Sequence, residues 1–371
     1  MSARWWVQLG GLVRKEGLQI VRDPSSIAIA FVLPLILLLI HGYGISLDAE
    51  DVPVAVVAPA PGEPARAFLG ALRGSQAFDP QIYDSRPAAR RALLAKEVDG
   101  LVYLPPDLEA RLLGQAAGAP AQAIVDGVDA NHGRLVSGYL RMAWNQWLRE
   151  RQPADGSRVQ LEARAWFNPA MESRHFLVPG LIAIVMTLIG ALLTALVVAR
   201  EWERGTMEAL LVSPISVNQL LLGKLIPYFA LGMAGMAFTT AVSLALFQVP
   251  LRGSLLLLTL ASALFLLAAL GMGLLISTLA RSQFVAAQIA IMATFLPAFI
   301  LSGFIFDIDS MPGFVQVVTY ALAARYFVAI LQTQFLAGDV ASVFWPNAAA
   351  LAGLAVLFLG LTRAATRKRL E

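Results

Sequence analysis

The sequence predicts a membrane all-α bundle of six transmembrane helices, with an extracytoplasmic α/β domain inserted after the first of them and an amphipathic interfacial helix at the N-terminus. Three observations predict it. Hydrophobic residues make up 58% of the 371-residue chain and charged residues only 14%, with a mean hydropathy of +0.68, far from the near-balance of a soluble domain. Six apolar stretches each approach or exceed the roughly 20 residues that a bilayer core requires. Between the first and second of them, residues 46–174 turn soluble and carry most of the Pro, Asp and Arg.

Residues 1–23 place Trp6, Leu9, Val13, Gly17 and Ile20 on one helical face and Arg4, Lys15 and Arg22 roughly opposite. That is the pattern of a helix lying in the headgroup layer, where tryptophan is favoured. The first span falls within 24–45, uncharged from Ile27 to Ile45, with Pro34 tolerable inside a bundle and His41 near its outer end. Its apolar run exceeds the about 7 to 15 residues of a cleavable signal peptide and no small-x-small site follows, so it reads as an anchor.

In the soluble stretch, VPVAVVA (52–58), PQIYD (80–84), GLVYL (100–104) and AQAIV (121–125) read as strands. PARAFLGALRG, RPAARRALLAKE, PDLEARLLGQ and a longer segment from about Asn131 to Arg151 read as helices. The alternation predicts a small α/β domain. DGVDANHG (126–133) lacks the glutamate that a calcium loop needs at its twelfth position, and reads as a turn with Asp129 capping the next helix. Arg86, Arg90 and Arg91 read as a solvated helix face, with an anionic partner as the alternative.

Further spans are expected at 176–199, 225–249, 255–280, 284–306 and 344–361, so that the second to sixth fill 175–362. Residues 307–340 are apolar but carry Gln316, Arg325, Gln332 and Gln334. A mid-membrane arginine costs about 2.5 to 3.5 kcal/mol, so this segment reads as re-entrant helices in the outer leaflet, packed on protein. The basic tail 363–371 closes the chain. Lys and Arg in the short loops fall mostly on the side of both termini, at Arg14, Arg22, Arg200, Arg204, Lys224, Arg281 and Arg363 among others, with only Arg252 and Arg325 in the shorter loops of the other side. Both termini are therefore expected in the cytoplasm and the α/β domain outside.

One charged stretch interrupts the apolar plan: REWERGTMEALLVSPISVNQLLLGK, Arg200 to Lys224. Its first part, 200–212, reads as an amphipathic helix with Arg204 and Glu208 paired at i, i+4. Ser213-Pro214 stops it, and Ser216 caps a helix running into the third span. The result is a charged elbow held at the membrane surface by a span at each end.

This stretch resembles the permease subunit of bacterial ABC-2 type exporters, the branch with a large extracytoplasmic domain after the first helix. ERGTMEALLVSP followed by LLGKLIPY carries the resemblance, with FLVPGLIAIV, DGLVYLPPDLEA and AARYFVAILQTQFLAGD in support. The resemblance implies that the elbow is a coupling helix docked on a separate ATP-binding subunit, with Glu201, Glu203, Arg204, Gly205, Thr206, Met207 and Glu208 at the contact. It implies two such ATPase copies, carrying ATP and Mg, and a second permease chain, identical or paralogous. It also implies a bacterial inner-membrane location, with a periplasmic membrane-fusion adaptor as a further candidate partner. It places the second and fifth spans at the dimer interface, where Met186, Thr187, Thr194, Gln288, Met292, Thr294, Phe295 and Phe299 are candidate path-lining residues. Those positions equally suit ordinary helix packing by small and flexible side chains.

The sequence holds no G-x-x-x-x-G-K-[ST], because Gly223-Lys224 lacks the upstream glycine and the following hydroxyl residue. With three histidines far apart and no cysteine, there is no catalytic or metal motif either, and nothing calls for a nucleic acid partner or a cofactor on this chain. The six expected spans hold no acidic residue of the kind an ion-driven carrier needs at depth, which weighs against a carrier. The expectation is a non-enzymatic permease that moves a hydrophobic or amphipathic substrate outward on work done by a partner. A signalling complex that moves the outer domain without passing a substrate is the alternative.

Overall fold

The computed structural model describes residues 3–44, 51–75, 77–126, 130–151 and 173–366. Asp129 and the end of the basic tail lie outside the described residues. The chain divides into two compact units, one formed by Met1–Ile45 and Ala165–Glu371 and the other by Ser46–Arg164.

The second unit is built on a four-stranded mixed sheet of order β2-β1-β3-β4, with β1 Val52–Val57, β2 Phe78–Tyr83, β3 Gly100–Tyr103 and β4 Gln122–Val125. β1 is parallel to both neighbours, while β4 returns antiparallel to β3. β1 is apolar along its whole length because both of its faces are covered. Val52, Val54 and Val56 pack with Phe68, Leu72, Leu108, Val136, Leu140 and Trp147. Ala55 and Val57 pack with Ala89, Ala92, Val98 and Leu101. Three helices, Glu63–Arg73, Leu108–Leu112 and Ala130–Arg151, supply the first face. Among the described residues a single helix, Arg86–Leu94, serves the second, with Ser85 Oγ accepting from the Ala88 amide at its start.

Among the described residues, the first unit holds six helices long and apolar enough to cross a membrane: Pro24–Tyr43, Arg174–Glu203, Val217–Ala245, Leu255–Ala280, Gln283–Leu301 and Ala341–Ala365. These are called spans one to six below. The segment Gly313–Thr319 plus Ala323–Leu336 forms a pair bent by 82°. Arg325, which argued against a simple crossing, stacks its guanidinium 4.0 Å from the centre of the Tyr320 ring, and its Nη1 donates to Thr319 Oγ1. Both partners lie at or beside the bend, so the break itself satisfies the cation.

Span two is the hub, with 89% of its apolar window buried against 22% for span five. Thr194 Oγ1 donates to the Leu270 carbonyl at 2.9 Å, and Ser277 Oγ accepts from the Val198 and Ala199 amides, each at 2.9 Å. Spans two and four come this close because Gly190 and Gly273 carry no Cβ where they meet Ala269, Ala191 and Thr194. Spans one and five each hold a π-helical turn, Ala28–Val32 and Ile291–Phe295, just ahead of Pro34 and Pro297. A wider turn lets the backbone ladder step over the carbonyls to which a proline cannot donate.

The spans differ from expectation mainly at their cytoplasm-side ends as assigned from the loop charges. Span two continues as helix through Glu203 and span three begins at Val217, so Arg200, Glu201, Glu203 and Lys224 all lie on span helices. The expectation that no acidic residue sits on a span is therefore corrected; Arg200, Glu201 and Glu203 fall in the last turn of span two, and Lys224 lies about two turns into span three. Each end is extended by an ionic or capping contact, described next, that a hydropathy window does not register.

Candidate functional site

The elbow is shorter than the sequence suggests. Gly205 has φ +69°, a left-handed conformation that ends span two and serves as N-cap of a separate helix, Thr206–Val212. Arg204 consequently falls in the turn between span two and the short helix that carries Glu208, and the expected i, i+4 pair on one continuous helix 200–212 is corrected. Ser213 ends the short helix in extended conformation, and Ser216 opens span three with a capping box. Ser216 Oγ accepts from the Gln219 amide at 3.3 Å, while Gln219 Oε1 accepts from the Ser216 amide at 2.8 Å. Gln219 Nε2 also donates to the Trp5 carbonyl and to Gln8 Oε1, at 3.1 and 3.0 Å. The N-terminal helix Ala3–Val21 is thereby tied to the start of span three.

A buried ionic cluster completes that tie. Lys224 Nζ donates to Glu16 Oε1 at 2.9 Å and to Glu201 Oε1 at 3.1 Å, and Lys15 Nζ donates to Glu201 Oε1 at 2.6 Å and to Glu16 Oε1 at 3.3 Å. The Lys224, Glu16 and Glu201 side chains are only 2%, 3% and 8% exposed. Thr206 Oγ1, the first residue of the elbow helix, donates to the other Glu201 oxygen. Burial pulls the Lys15 pKa down, but the bond to Glu201 and the field of both carboxylates outweigh it, so the ammonium is held charged. Three segments far apart in sequence, namely the N-terminal helix and the two spans flanking the elbow, thus share one set of charges.

A second ionic contact lies beside it. Asp23 Oδ2 accepts from Arg200 Nη1 at 3.1 Å and from Ser26 Oγ at 3.0 Å, and Asp23 Oδ1 accepts from the Ser25 amide at 3.1 Å. Burial raises the Asp23 pKa, but the bond from the Ser25 hydroxyl to Oδ1, those from the Ser26 hydroxyl and the Ser25 amide, and the Arg200 charge together lower it to about 2. A carboxyl depressed below its unfolded value adds stability that is fully present above pH about 4 and is lost as pH falls towards 2. The stability difference between wild type and Asp23→Asn is accordingly expected to hold constant from pH 7 to 5 and to shrink below pH 4 in thermal unfolding. A difference that grew on acidification would reject this assignment.

The expected contact residues divide into two sets. Glu201 and Met207 face inward, 6% and 3% exposed, and hold the elbow to the protein. Glu203, Arg204, Gly205, Thr206 and Glu208 are exposed. Glu203 Oε1 accepts from the Gln283 amide at 2.7 Å and so caps the start of span five, while Arg281 stacks 4.9 Å from the Trp202 ring centre. Beside the elbow lies a cleft of about 770 Å³ whose lining includes Lys15, Arg22, Arg200, Arg204 and Asp23. Cations outnumber carboxylates there by four to one.

The eight candidate path residues do not form one surface within the chain. Met186, Thr187, Thr194 and Thr294 are buried, whereas Gln288 and Met292 lie on the open face of span five, with Met292 69% exposed. Phe295 and Phe299 are half-buried with ring centres 5.9 Å apart. Thr187 and Thr294 share a cavity of about 30 Å³, room for about one water. Thr194 is engaged by span four.

Reading the sequence missed Glu16, Lys15, Lys224 and Asp23. The signal for Glu16 is present: Leu9, Leu12, Glu16 and Ile20 follow one another at helical spacing. A carboxylate in the middle of an apolar stripe requires a buried cation. Placing the stripe one residue further round the helix, through Val13 and Gly17, hid it.

Comparison with known proteins gives consistent matches. A family model described as "ABC-2 family transporter protein" matches residues 24–363. The "Probable multidrug ABC transporter permease YbhS" of Escherichia coli (strain K12) is 48% identical over 370 residues, covering 99% of this chain and 98% of that protein. The "Probable multidrug ABC transporter permease YbhR" of the same organism is 29% identical over 349 residues, 93% of each chain. The "Inner membrane transport permease YhhJ" is 30% identical over 214 residues, 57% of this chain and 56% of that protein.

Proposed function

The chain belongs to the ABC-2 family of transporter proteins and is a multi-pass membrane protein, and from that premise we propose that it is the membrane permease of an ATP-driven exporter, worked by a separate ATP-binding subunit at the elbow. The observation that carries the reading is the buried Lys224–Glu16–Glu201–Lys15 cluster. It fixes the N-terminal helix to the spans on both sides of the elbow, so force applied to the exposed residues is delivered to a stiff three-helix base rather than to a hinge.

The exposed set Arg204, Thr206 and Glu208, with the neighbouring cationic cleft, forms the docking surface, and two ATPase copies engage a dimer of the permease. Glu201 and Met207 position the elbow from within. Span two, packed on span four and joined directly to the elbow, is the element that reorients; the open face of span five, with Gln288 and Met292, meets the second permease chain. The substrate is hydrophobic or amphipathic, because the candidate path residues carry hydroxyl, carboxamide, thioether and aromatic groups and no charge. The basic loops orient both termini to the cytoplasm of a bacterial inner membrane and the α/β unit to the outside, and the N-terminal helix lies at the interface.

The test uses the permease with its ATP-binding subunit in inverted vesicles, with ATP-dependent accumulation of a lipophilic dye as the readout. Arg204→Ala with Glu208→Ala is expected to reduce accumulation by about tenfold or more, the loss expected when a few central contacts of an interface are truncated, while membrane insertion and thermal stability stay at wild-type level. Unchanged ATP-dependent accumulation in that variant would reject coupling through the elbow.

A further inference from the structure

We propose that the open half of the sheet face beside helix Arg86–Leu94 is a binding site for an amphiphilic anion, one that carries a single carboxylate, sulfate or phosphate on an apolar body.

The layer arrangement creates the site. Among the described residues, one face of the sheet is covered by three helices and the other by Arg86–Leu94 alone, which leaves β3 and β4 partly open on that side. Leu101 pairs with Ile124 and Tyr103 with Gln122 across the two strands, which puts all four on one face. The resulting groove of about 580 Å³ is lined by Leu94, Leu101, Ile124 and Gln122 together with Arg86, Arg90 and Arg91. Leu94 is 75% and Ile124 45% exposed, so the groove presents apolar surface that the apolar body of a ligand would cover.

The charge on the groove is of one sign. Its lining includes three guanidiniums and no carboxylate. Arg86 is already fixed in place: its guanidinium carbon lies 3.4 Å from the centre of the Tyr103 ring, and Nη2 donates to Gln122 Oε1 at 3.0 Å. Arg91 Nε donates to the Pro87 carbonyl at 3.4 Å, a weak contact that leaves the rest of its fork available. Guanidiniums held along one wall present paired donors to an oxyanion, and the volume is that of a site for a small molecule. An apolar floor beside a cationic wall selects against neutral oils and against amphiphilic cations. The site lies wholly within the second unit and does not depend on the elbow.

The experiment uses the full chain in phosphatidylcholine nanodiscs and a photoactivatable alkyl carboxylate, decanoate bearing a diazirine, with labelled peptides mapped by mass spectrometry. Labelling is expected on the peptides that carry Leu94, Leu101 and Ile124, with competition by octanoate and none by octylamine. Arg90→Ala with Arg91→Ala is expected to lower groove labelling roughly tenfold while labelling of the spans, the readout of bulk partition, stays constant. Ile124→Asn, which spoils the apolar floor without adding a charge that could pair with the arginines, is expected to lower it as well. Absence of groove labelling, whether the groove lacks affinity or another polypeptide segment fills it, overturns the proposal. Equal labelling by the corresponding diazirine alkylamine, or labelling unchanged by both variants, does the same.

Discussion

Lys224→Met is expected to destabilise the protein by about 3–5 kcal/mol, the cost of removing one member of a buried charge set. Methionine fills similar volume, so the loss is electrostatic: Glu16 and Glu201, 3% and 8% exposed, are left with the single half-exposed Lys15 between them. Removing the opposite charge as well, in Glu16→Leu with Lys224→Met, keeps the Lys15–Glu201 pair and takes the unpaired carboxylate out of the interior. Replacing a buried ion pair by apolar groups is often close to neutral, so this double variant is expected to recover most of the thermal midpoint. Transport separates the two roles of the cluster. If the ionic tie delivers force, the double variant stays impaired although folded, by roughly two- to thirty-fold, the range of about 0.5–2 kcal/mol typical of coupling mutations. Full recovery of both stability and transport would reduce the cluster to a structural contact.

Gly273→Ala is expected to disrupt the packing of spans two and four. A Cβ at this position would lie 2.2 Å from Thr194 Oγ1 and 2.5 Å from the Ala191 carbonyl oxygen. The hydroxyl can rotate, at the cost of its bond to the Leu270 carbonyl, but the carbonyl belongs to helix backbone and cannot move without the whole of span two. Overpacking of this kind costs about 1–3 kcal/mol, occasionally more, and here it falls on the most enclosed helix of the bundle. Gly271→Ala is the control, since the atoms nearest to its new methyl are side-chain carbons of Leu359 and Phe358 at 3.2 Å or more, tight contacts relieved by a shift of a few tenths of an ångström. Folded yield by size-exclusion chromatography and the thermal midpoint in detergent are expected to fall for Gly273→Ala and to change little for Gly271→Ala. Equal behaviour of the two glycines would show that the helices slide apart freely at this crossing.

The same contrast between backbone and side-chain neighbours shows why some of the site could be read in advance and some could not. Ser213-Pro214 and Ser216 announce the break and the new helix start by residue type alone, because the cap and the missing amide act within four residues. Gly205 stands among the contact residues that the resemblance implies, yet its left-handed φ, and with it the split of the elbow into two helices, depends on how the ends of spans two and three are held together. Glu201 has the residue type of an exposed contact residue and is instead an internal anchor, because Glu16, on the N-terminal helix, leaves Lys224 shared between them.

Arg325 is the converse case. Its type forbids a plain apolar crossing, and the sequence conveys that much. Which groups satisfy it, the Tyr320 ring and the Thr319 hydroxyl at the bend, follows only from the 82° turn of the chain.

Length of apolar run, period of the hydrophobic pattern and capping chemistry are local quantities. By themselves they determined that the chain has six membrane-length helices, that an α/β unit follows the first, and that a charged elbow joins the second to the third. The tertiary structure alone decided which charges meet, which glycines allow two helices to touch, and which half of a sheet face stays open. These outcomes depend on groups brought together from positions as far apart as residues 16, 201 and 224. Burial changes what a charge requires: in water Lys224 would need no partner, and at 2% exposure it needs two.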